Sequence, residues 1–563
     1  MNDETAVALD RFTLAQRLLS TTHMAVWDVL EVAARDHGDR PAVALDDAEL
    51  TFGELHDVAL RCASRLEMLG VAGGTRVGLV IGTSIEWVIL HYAIARLGAI
   101  AVPVNTAFEP PEIRHVLEVG EVEILVTVEA HRGINFTAHL LAIAPNLLEA
   151  KSQSVLPSLR SVVVLPVVDD VVDRNSKPAI SVFGDGSEEA LPARGVATSS
   201  DPAYILFTSG STAFPKAVVC RQRAITGAAT GFAHALSLGP DDRLLGVLPT
   251  FHSGGITCSI TAPHIAGACL QLLRHFDAGD ALAAIEGRRC TATIAFDTMF
   301  VRMMAHPDFK TRDHSSLSKA ALGATPSFVN ALYDDWGFER IVTTYGSTES
   351  GALAAATPPS ESDQHIRHST NGRPLPGIDM IIVDPDTEQQ VASGVAGEIR
   401  FRGWGRFAEY LGEPSLTLSA IDGHGFFRTG DYGSMDDEGR LTFLGRYKMM
   451  IKTGGENVAE REVEMLLEDD PTVELAQVVG VPDHEWGEVV VAFVQVSAPG
   501  ASIELRERCR GRMARFKIPR HVFEVPDGDW PMLQNGKPDK SELRRRAATE
   551  IGAPPPPQSA SAD

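Results

Sequence analysis

The chain has 563 residues, a length that predicts more than one compact unit and a core large enough to need no disulfide or metal staple. It is 44% hydrophobic, 22% charged and 6% aromatic, which excludes a collagen, a coiled coil or a wholly disordered protein. Its 74 acidic against 50 basic residues give a formal net charge of −24, which argues against nucleic acid or an anionic membrane as partner and obliges any polyanionic ligand to find a local island of cations.

The first residues, MNDETAVALDRF, carry acids where a secretory leader carries a basic region. The most apolar stretch, Val77 to Val104, is interrupted by Glu86, His91 and Arg96, so no integral membrane segment is expected and the cytoplasm is the default location. RVGLVIG, SIEWVILHYAIARLG and AIAVPV read as strand, helix and strand, with Ile85, Val88, Ile89, Tyr92 and Ala93 on one buried helix face. EILVTV, SVVVLP and RLLGVLP repeat the strand texture, so the class is α/β with buried, largely parallel strands. Between about Asp169 and Asp201 the composition turns to Asp, Ser, Gly, Pro and Ala, an exposed excursion before the strand AYILF.

From Arg446 to about Glu550 a second texture begins. ENVAEREVEMLLED reads as a helix, ELAQVVGV and EVVVAFVQV as strands, SIELRERCRGRMARF as a second helix, then HVFEV as a strand and a basic closing helix. The chain therefore divides into a large unit, 1–445, a small α/β domain, 446–550, and a tail, 551–563, whose Pro, Ser and Ala cannot build a core. Cys62, Cys220, Cys258, Cys269, Cys290 and Cys509 show neither CxxC pairs nor metal-ligand spacing and read as reduced thiols.

Five segments carry candidate chemistry. Thr208, Ser209, Gly210, Ser211, Thr212 and Lys216 lie between the apolar runs AYILF and AVVC, where hydroxyls, a glycine and a terminal cation suit a polyphosphate; a Ser/Thr-rich surface hairpin is the plain alternative. The run is not GxxxxGK[ST], because no second glycine precedes Lys216. Tyr345, Gly346, Thr348 and Glu349 put a carboxylate after hydroxyls at a strand end, which suits a hard divalent cation on nucleotide phosphates or a plain helix cap. Arg428-Thr429-Gly430-Asp431 aims a carboxylate at a ribose diol or forms a polar turn. Arg446, Lys448, Lys452, Gly454, Gly455 and Asn457 sit at the domain boundary, and Lys537 stands alone on a late turn.

In this order and approximate spacing the segments resemble the adenylate-forming superfamily of acyl-CoA synthetases, luciferase-like enzymes and peptide-synthetase adenylation domains, over about Met24 to Arg546. The resemblance implies a large N-terminal adenylate-forming domain with mixed sheets and flanking helices and a small mobile C-terminal domain. It implies ATP, Mg²⁺ and CoA, with Thr208 to Lys216 gripping the triphosphate and Glu349 as metal ligand beside Thr348. Gly323, Ala324 and Tyr345 would flank adenine, Asp431 would bind ribose and Arg446 would join it. Lys448 would be the hinge and Lys537 the catalytic lysine. Lys452, Gly454, Gly455 and Asn457 would line the CoA tunnel, and Phe251 and His252 would gate the acyl pocket.

Several positions depart from the family pattern. Ala213 and Ala217 replace glycines, bringing a Cβ where backbone usually approaches phosphate, Met449 follows the hinge, and Gln222 replaces a frequent histidine. Asp297 occupies a usually apolar part of the acyl pocket, either solvated and structural or reading a polar group on the substrate. The implied reaction is activation of a carboxylic acid, of medium or long aliphatic or alicyclic type, to an acyl-adenylate, followed by transfer to CoA. The alternatives are transfer to an amine, a carrier-protein thiol or another small nucleophile, and a catalytically silent binding protein on the same fold. A homodimer is left open.

Overall fold

Apolar runs pair into four main sheets in the computed structural model, which describes residues 3–149, 155–165, 197–208, 215–322, 329, 332–446, 450–453, 456–458, 460–483, 486–497, 500, 504–510, 515–532 and 538–553. Side chains of residues 3–9, Thr298, Lys452, Glu456, Asn457 and Arg515 are outside that description. Most of the expected excursion, 166–196, and nearly all of the tail, 554–563, also fall outside it.

The strand Arg76–Val80, the helix Ile85–Arg96 and the strand Ile100–Pro103 form the expected unit, with Val77 opposite Ala101 in parallel register. They belong to a six-stranded sheet ordered Lys216–Arg221, Pro202–Thr208, Ile100–Pro103, Arg76–Val80, Ile124–Val128 and Ser161–Leu165. Its first two strands are an antiparallel hairpin and the others run parallel. A nine-stranded sheet has a parallel centre, Arg340–Tyr345, Lys319–Leu322, Ala292–Ile294, Arg243–Gly246, Cys269–Leu272 and Pro41–Leu45, with antiparallel strands at both edges.

One core joins the two sheets, Leu45 and Leu270 packing in the same apolar cluster as Val77 and Tyr204. The helix Ile85–Arg96 lies in that core, which corrects the one-faced reading: every residue from Ile85 to Ala95 is buried. Its His91 is 1% exposed and pairs through Nδ1 with the Tyr204 hydroxyl. Nearby, the Tyr92 hydroxyl meets His264 Nδ1 at 2.7 Å and His264 Nε2 meets the Ala42 carbonyl at 3.0 Å. Burial disfavours the imidazolium form, so His91 is pulled down to about 3 and His264 to about 4.

The expectation of largely parallel strands fails after Pro376. Ile378–Val383, Gly397–Gly403, Phe427–Met435 and Leu441–Arg446 form an entirely antiparallel four-stranded sheet, each strand pairing with its neighbour in sequence even where, as between Gly403 and Phe427, the connection carries the short helix Pro414–Ala420. In the C-terminal part Glu456–Val458 is a strand, and the helix starts only at Glu460 and runs to Glu468. The strands Val473–Asp483 and Gly487–Val496 pair antiparallel, and His521–Glu524 adds parallel to the second. The expected second helix is described only as Leu505–Arg508 and a single tight turn, Arg515–Lys517. The closing helix, Lys540–Ile551, is present and is capped by Asp539, which accepts from Ser541 and Glu542 N–H groups. All six cysteines are buried and none is in a disulfide. Among the described residues no helix is long and apolar enough to cross a membrane.

Candidate active site

The strand Arg340–Tyr345 delivers the chain to the carboxyl end of the nine-stranded sheet, where ligands of α/β proteins gather. Gly346 is required there, since a Cβ would sit 2.1 Å from the Ala352 carbonyl oxygen. Behind it Thr348–Ser350 make one tight turn, held by Ser350 Oγ, which accepts from Ser347 N–H and donates to the Ser347 carbonyl, both at 2.9 Å. This turn presents Glu349, half-buried.

Two other segments converge on that carboxylate. The hairpin Pro202–Thr208 and Lys216–Arg221 pairs Thr208 with Lys216, so Lys216 emerges at the strand end. A stretch around Tyr410 runs beside the second hairpin strand, and the Tyr410 hydroxyl donates to Glu349 Oε1 at 3.0 Å. The Lys216 ammonium lies 5.5 Å from the centre of the Tyr410 ring. Burial, reinforced by the charge of Glu349, pushes the Tyr410 phenol well above its ordinary pKa, so it stays a donor.

The antiparallel sheet brings the other acid. Gly430 has φ +68°, a left-handed kink inside the strand Phe427–Met435 that only glycine adopts cheaply, so the segment is a distorted strand and not the polar turn that was the plain alternative. The next residue, Asp431, is 4% exposed. Its Oδ2 accepts from the Tyr345 hydroxyl at 2.7 Å, and its Oδ1 lies 2.8 Å from Arg446 Nε, the residue opposite it in register. Burial raises the Asp431 pKa; Arg446 and the Tyr345 hydroxyl oppose that, while Glu349 adds to it. The two carboxylates thus feel each other across one site.

The structure brings Thr208, Lys216, Tyr345, Thr348, Glu349, Asp431 and Arg446 into this neighbourhood. His252 sits just before the buried turns Gly255–Thr261, which are tied to the site by Thr257 Oγ1 donating to the Gly351 carbonyl at 2.9 Å. His252 opens to solvent at one edge, yet the protein around its ring lowers its pKa by desolvation. Phe251 packs on it, ring centres 4.6 Å apart. Asp297 is half-buried at the first residue of the helix Asp297–Ala305. Lys452 and Asn457 are opposite in backbone register in the hairpin Ile451–Thr453 and Glu456–Val458. Ser209, Gly210, Ser211, Thr212, Ala213, Gly323, Ala324, Lys448, Met449, Gly454, Gly455 and Lys537 lie outside the described residues.

Two expected departures change meaning. Ala217 is a strand residue whose methyl group is buried in the core with Val104 and Val116, while its carbonyl accepts from Leu411 N–H at 2.9 Å, so its Cβ does not obstruct a phosphate. Gln222 is fully buried, its Oε1 accepting from Val26 N–H at 2.9 Å and its Nε2 donating to the Pro202 carbonyl at 3.4 Å. It is a structural clamp. Tyr410 was missed, because EYLGEP carries no signal of its own and reaches Glu349 only through strand pairing.

The set fits a divalent cation held with a nucleotide. Among the described residues no ion pair neutralises Glu349 and no cluster of three His, Cys, Asp or Glu side chains forms a protein-only metal cage. One exposed-edge carboxylate beside the Thr348 hydroxyl matches Mg²⁺, which prefers one or two carboxylates plus substrate phosphates.

The model of the AMP-binding enzyme family matches residues 30–411, and that of the AMP-binding enzyme C-terminal domain matches residues 462–537. The chain belongs to this family. Among similar AMP-binding enzymes, a dioxo-octahydro-indenyl-propanoyl:CoA ligase of Mycobacterium tuberculosis is 32% identical over 92% of this chain and 97% of its own length. A medium-chain acyl-CoA ligase, mitochondrial, of Rattus norvegicus is 28% identical over 92% and 87% respectively. The solved amide bond synthetase McbA of Marinactinospora thermotolerans is 25% identical, with TM-score 0.74, over 92% of this chain and 99% of its own. The expected architecture of a large N-terminal unit and a small C-terminal one is the architecture of this family.

Proposed function

We propose that this AMP-binding enzyme is an AMP-forming acid–CoA ligase: it joins a carboxylic acid to ATP, releasing pyrophosphate, and then passes the acyl group to CoA, releasing AMP. The observation that carries the reading is the convergence of Glu349, Tyr410 and Lys216 with the buried Asp431–Tyr345 pair and the exposed Arg446 that meets Asp431 at one sheet end. Relatives matched along nearly their whole length, both CoA ligases, support the acceptor.

In the first step a carboxylate oxygen of the acid attacks the α-phosphorus and the bond to pyrophosphate breaks. Both reactants are anions in a protein of net charge −24, so local cations must offset the repulsion. Lys216 serves the phosphates, and Asp431 with Arg446 serves the ribose. Mg²⁺, when bound with ATP, withdraws charge from the phosphate oxygens. Glu349 and Thr348 are the residues that would hold it. Lys537, on the small domain 446–550, completes the first step, and rotation about Lys448 brings Lys452, Gly454, Gly455 and Asn457 to line the thiol's path. The CoA sulfur then attacks the acyl carbonyl carbon and AMP leaves. Phe251, His252 and Asp297 border the acid, which is a medium or long aliphatic or alicyclic one. A reducing, cytoplasmic setting suits six cysteines without a disulfide. Dimerisation is decided by light scattering.

A panel of carboxylic acids in the ATP–pyrophosphate exchange reaction tests the first step. Aliphatic and alicyclic acids should support exchange, and AMP release should then rise with CoA. Release stimulated by an amine and indifferent to CoA would move the chain to the amide-forming branch. Lys537→Ala should lose exchange while still consuming a pre-made acyl-adenylate with CoA, whereas equal loss of both would remove Lys537 from its assigned role.

A further inference from the structure

Tyr410 is held more firmly than a surface aromatic needs to be. Val219 N–H donates to the Glu409 carbonyl at 2.9 Å, Ala408 N–H to the Val219 carbonyl at 2.8 Å and Leu411 N–H to the Ala217 carbonyl at 2.9 Å, which fastens its backbone to the strand that begins with Lys216. Tyr410 N–H donates to Thr417 Oγ1 at 3.0 Å, and its ring packs on Phe407 with centres 4.7 Å apart. The side chain is 6% exposed, and its orientation leaves the hydroxyl on Glu349 Oε1 and one ring face toward the Lys216 ammonium.

Those contacts have a chemical consequence. A glutamate on a single tight turn has rotatable bonds to spare, and one hydrogen bond to Oε1 removes that freedom while leaving Oε2 as an acceptor. The donor is neutral, so it orients the carboxylate without cancelling the charge a cation requires, as an arginine or lysine there would. The quadrupole of the same ring attracts the ammonium on its face, so a single side chain spaces a cation and an anion that would otherwise collapse into an ion pair.

We propose that Tyr410 is a positioning residue that keeps Glu349 available to the divalent cation accompanying ATP and keeps Lys216 apart from Glu349 and available to the phosphates. The proposal rests on the ligase reading above. Its test is Tyr410→Phe, which deletes the hydroxyl and preserves the ring and its packing. Manganese binding is followed by electron paramagnetic resonance in the presence of α,β-methylene-ATP, and thermal unfolding is recorded alongside. Loss of a hydrogen bond to a charged group corresponds to about a tenfold weakening or more. The Phe variant should therefore bind Mn²⁺ about tenfold more weakly, with a matching rise in the Mg²⁺ concentration giving half-maximal pyrophosphate exchange and recovery at saturating Mg²⁺. Tyr410→Leu, which also removes the ring face, should add a rise in KM for ATP that Mg²⁺ does not rescue. Unchanged Mn²⁺ affinity in the Phe variant would overturn the proposal, as would a loss of activity explained wholly by a lowered melting temperature. Wild-type protein lacking acid-dependent exchange would instead overturn the ligase reading, and the manganese titration would still decide the role of Tyr410.

Discussion

Asp431 keeps a carboxylate at a buried position because two donors face it, the Tyr345 hydroxyl on Oδ2 and the Arg446 guanidinium beside Oδ1. Tyr345→Phe deletes the first donor where both Tyr345 and Asp431 are buried, and the penalty for an unsatisfied buried acceptor is about 1–3 kcal/mol. The variant should lose about that much stability in urea and raise KM for ATP with a smaller change in kcat; an unaltered KM would remove Asp431 from the nucleotide site. Glu349, Asp431, Lys216 and Arg446 were legible in the sequence because each lies in a short cluster of hydroxyls, glycine and charge that serves no core. Tyr410 was not, since its partner is 61 positions away and arrives through backbone pairing. Gln222, marked in the sequence only as a departure from a frequent histidine, answers a structural need through its amide bonds to Val26 and Pro202.

At the scale of elements, periodicity found the strand–helix–strand unit at Arg76–Pro103 but not how deeply its helix is buried, because burial on every face depends on a second sheet contributed from elsewhere in the chain. The helix Glu460–Glu468 shows the same limit. Periodicity alone does not say that its glutamates at Glu460, Glu464 and Glu468 turn inward: Lys540 Nζ lies 2.7 Å from Glu460 and 2.6 Å from Glu464, and Arg461 lies 3.2 Å from Glu468. Glu468 is the least compensated, and burial pushes it up to about 7. A carboxyl with a folded pKa above its unfolded value of 4.5 gives stability that is complete below pH 4.5 and is lost as pH rises through 7. Glu468→Gln should therefore match wild type near pH 5 and exceed it above pH 7, with a ceiling on the order of 3 kcal/mol. Equal stability of the two proteins at pH 8 in urea unfolding would show that Arg461 fully compensates the charge.

The whole molecule carries two opposite responses to acid. In the large unit, His91 and His264 stay neutral in the fold at about 3 and about 4, against 6.5 when unfolded. The unfolded chain therefore binds more protons below pH 6.5, and stability is lost as pH falls from there toward the folded values, by at most about 1.4 kcal/mol per pH unit for each imidazole. In the small unit Glu468 gains a proton over the upper part of the same range and stability increases. The contact between the units includes a small apolar cluster, Leu444 and Met450 with Tyr432 and Met465 around them, so little apolar area ties their unfolding together at that point. Calorimetry of the full chain at pH 7.5 and pH 5.5 should accordingly show two transitions whose separation changes, the large unit melting earlier and the small unit later in acid. His264→Gln should flatten the first response and Glu468→Gln the second, which assigns each transition without separating the units. Two transitions moving together, or neither variant altering its own, would mean that the seam couples the units more strongly than its area implies, and that a rotation between the two half-reactions would have to break more than this cluster.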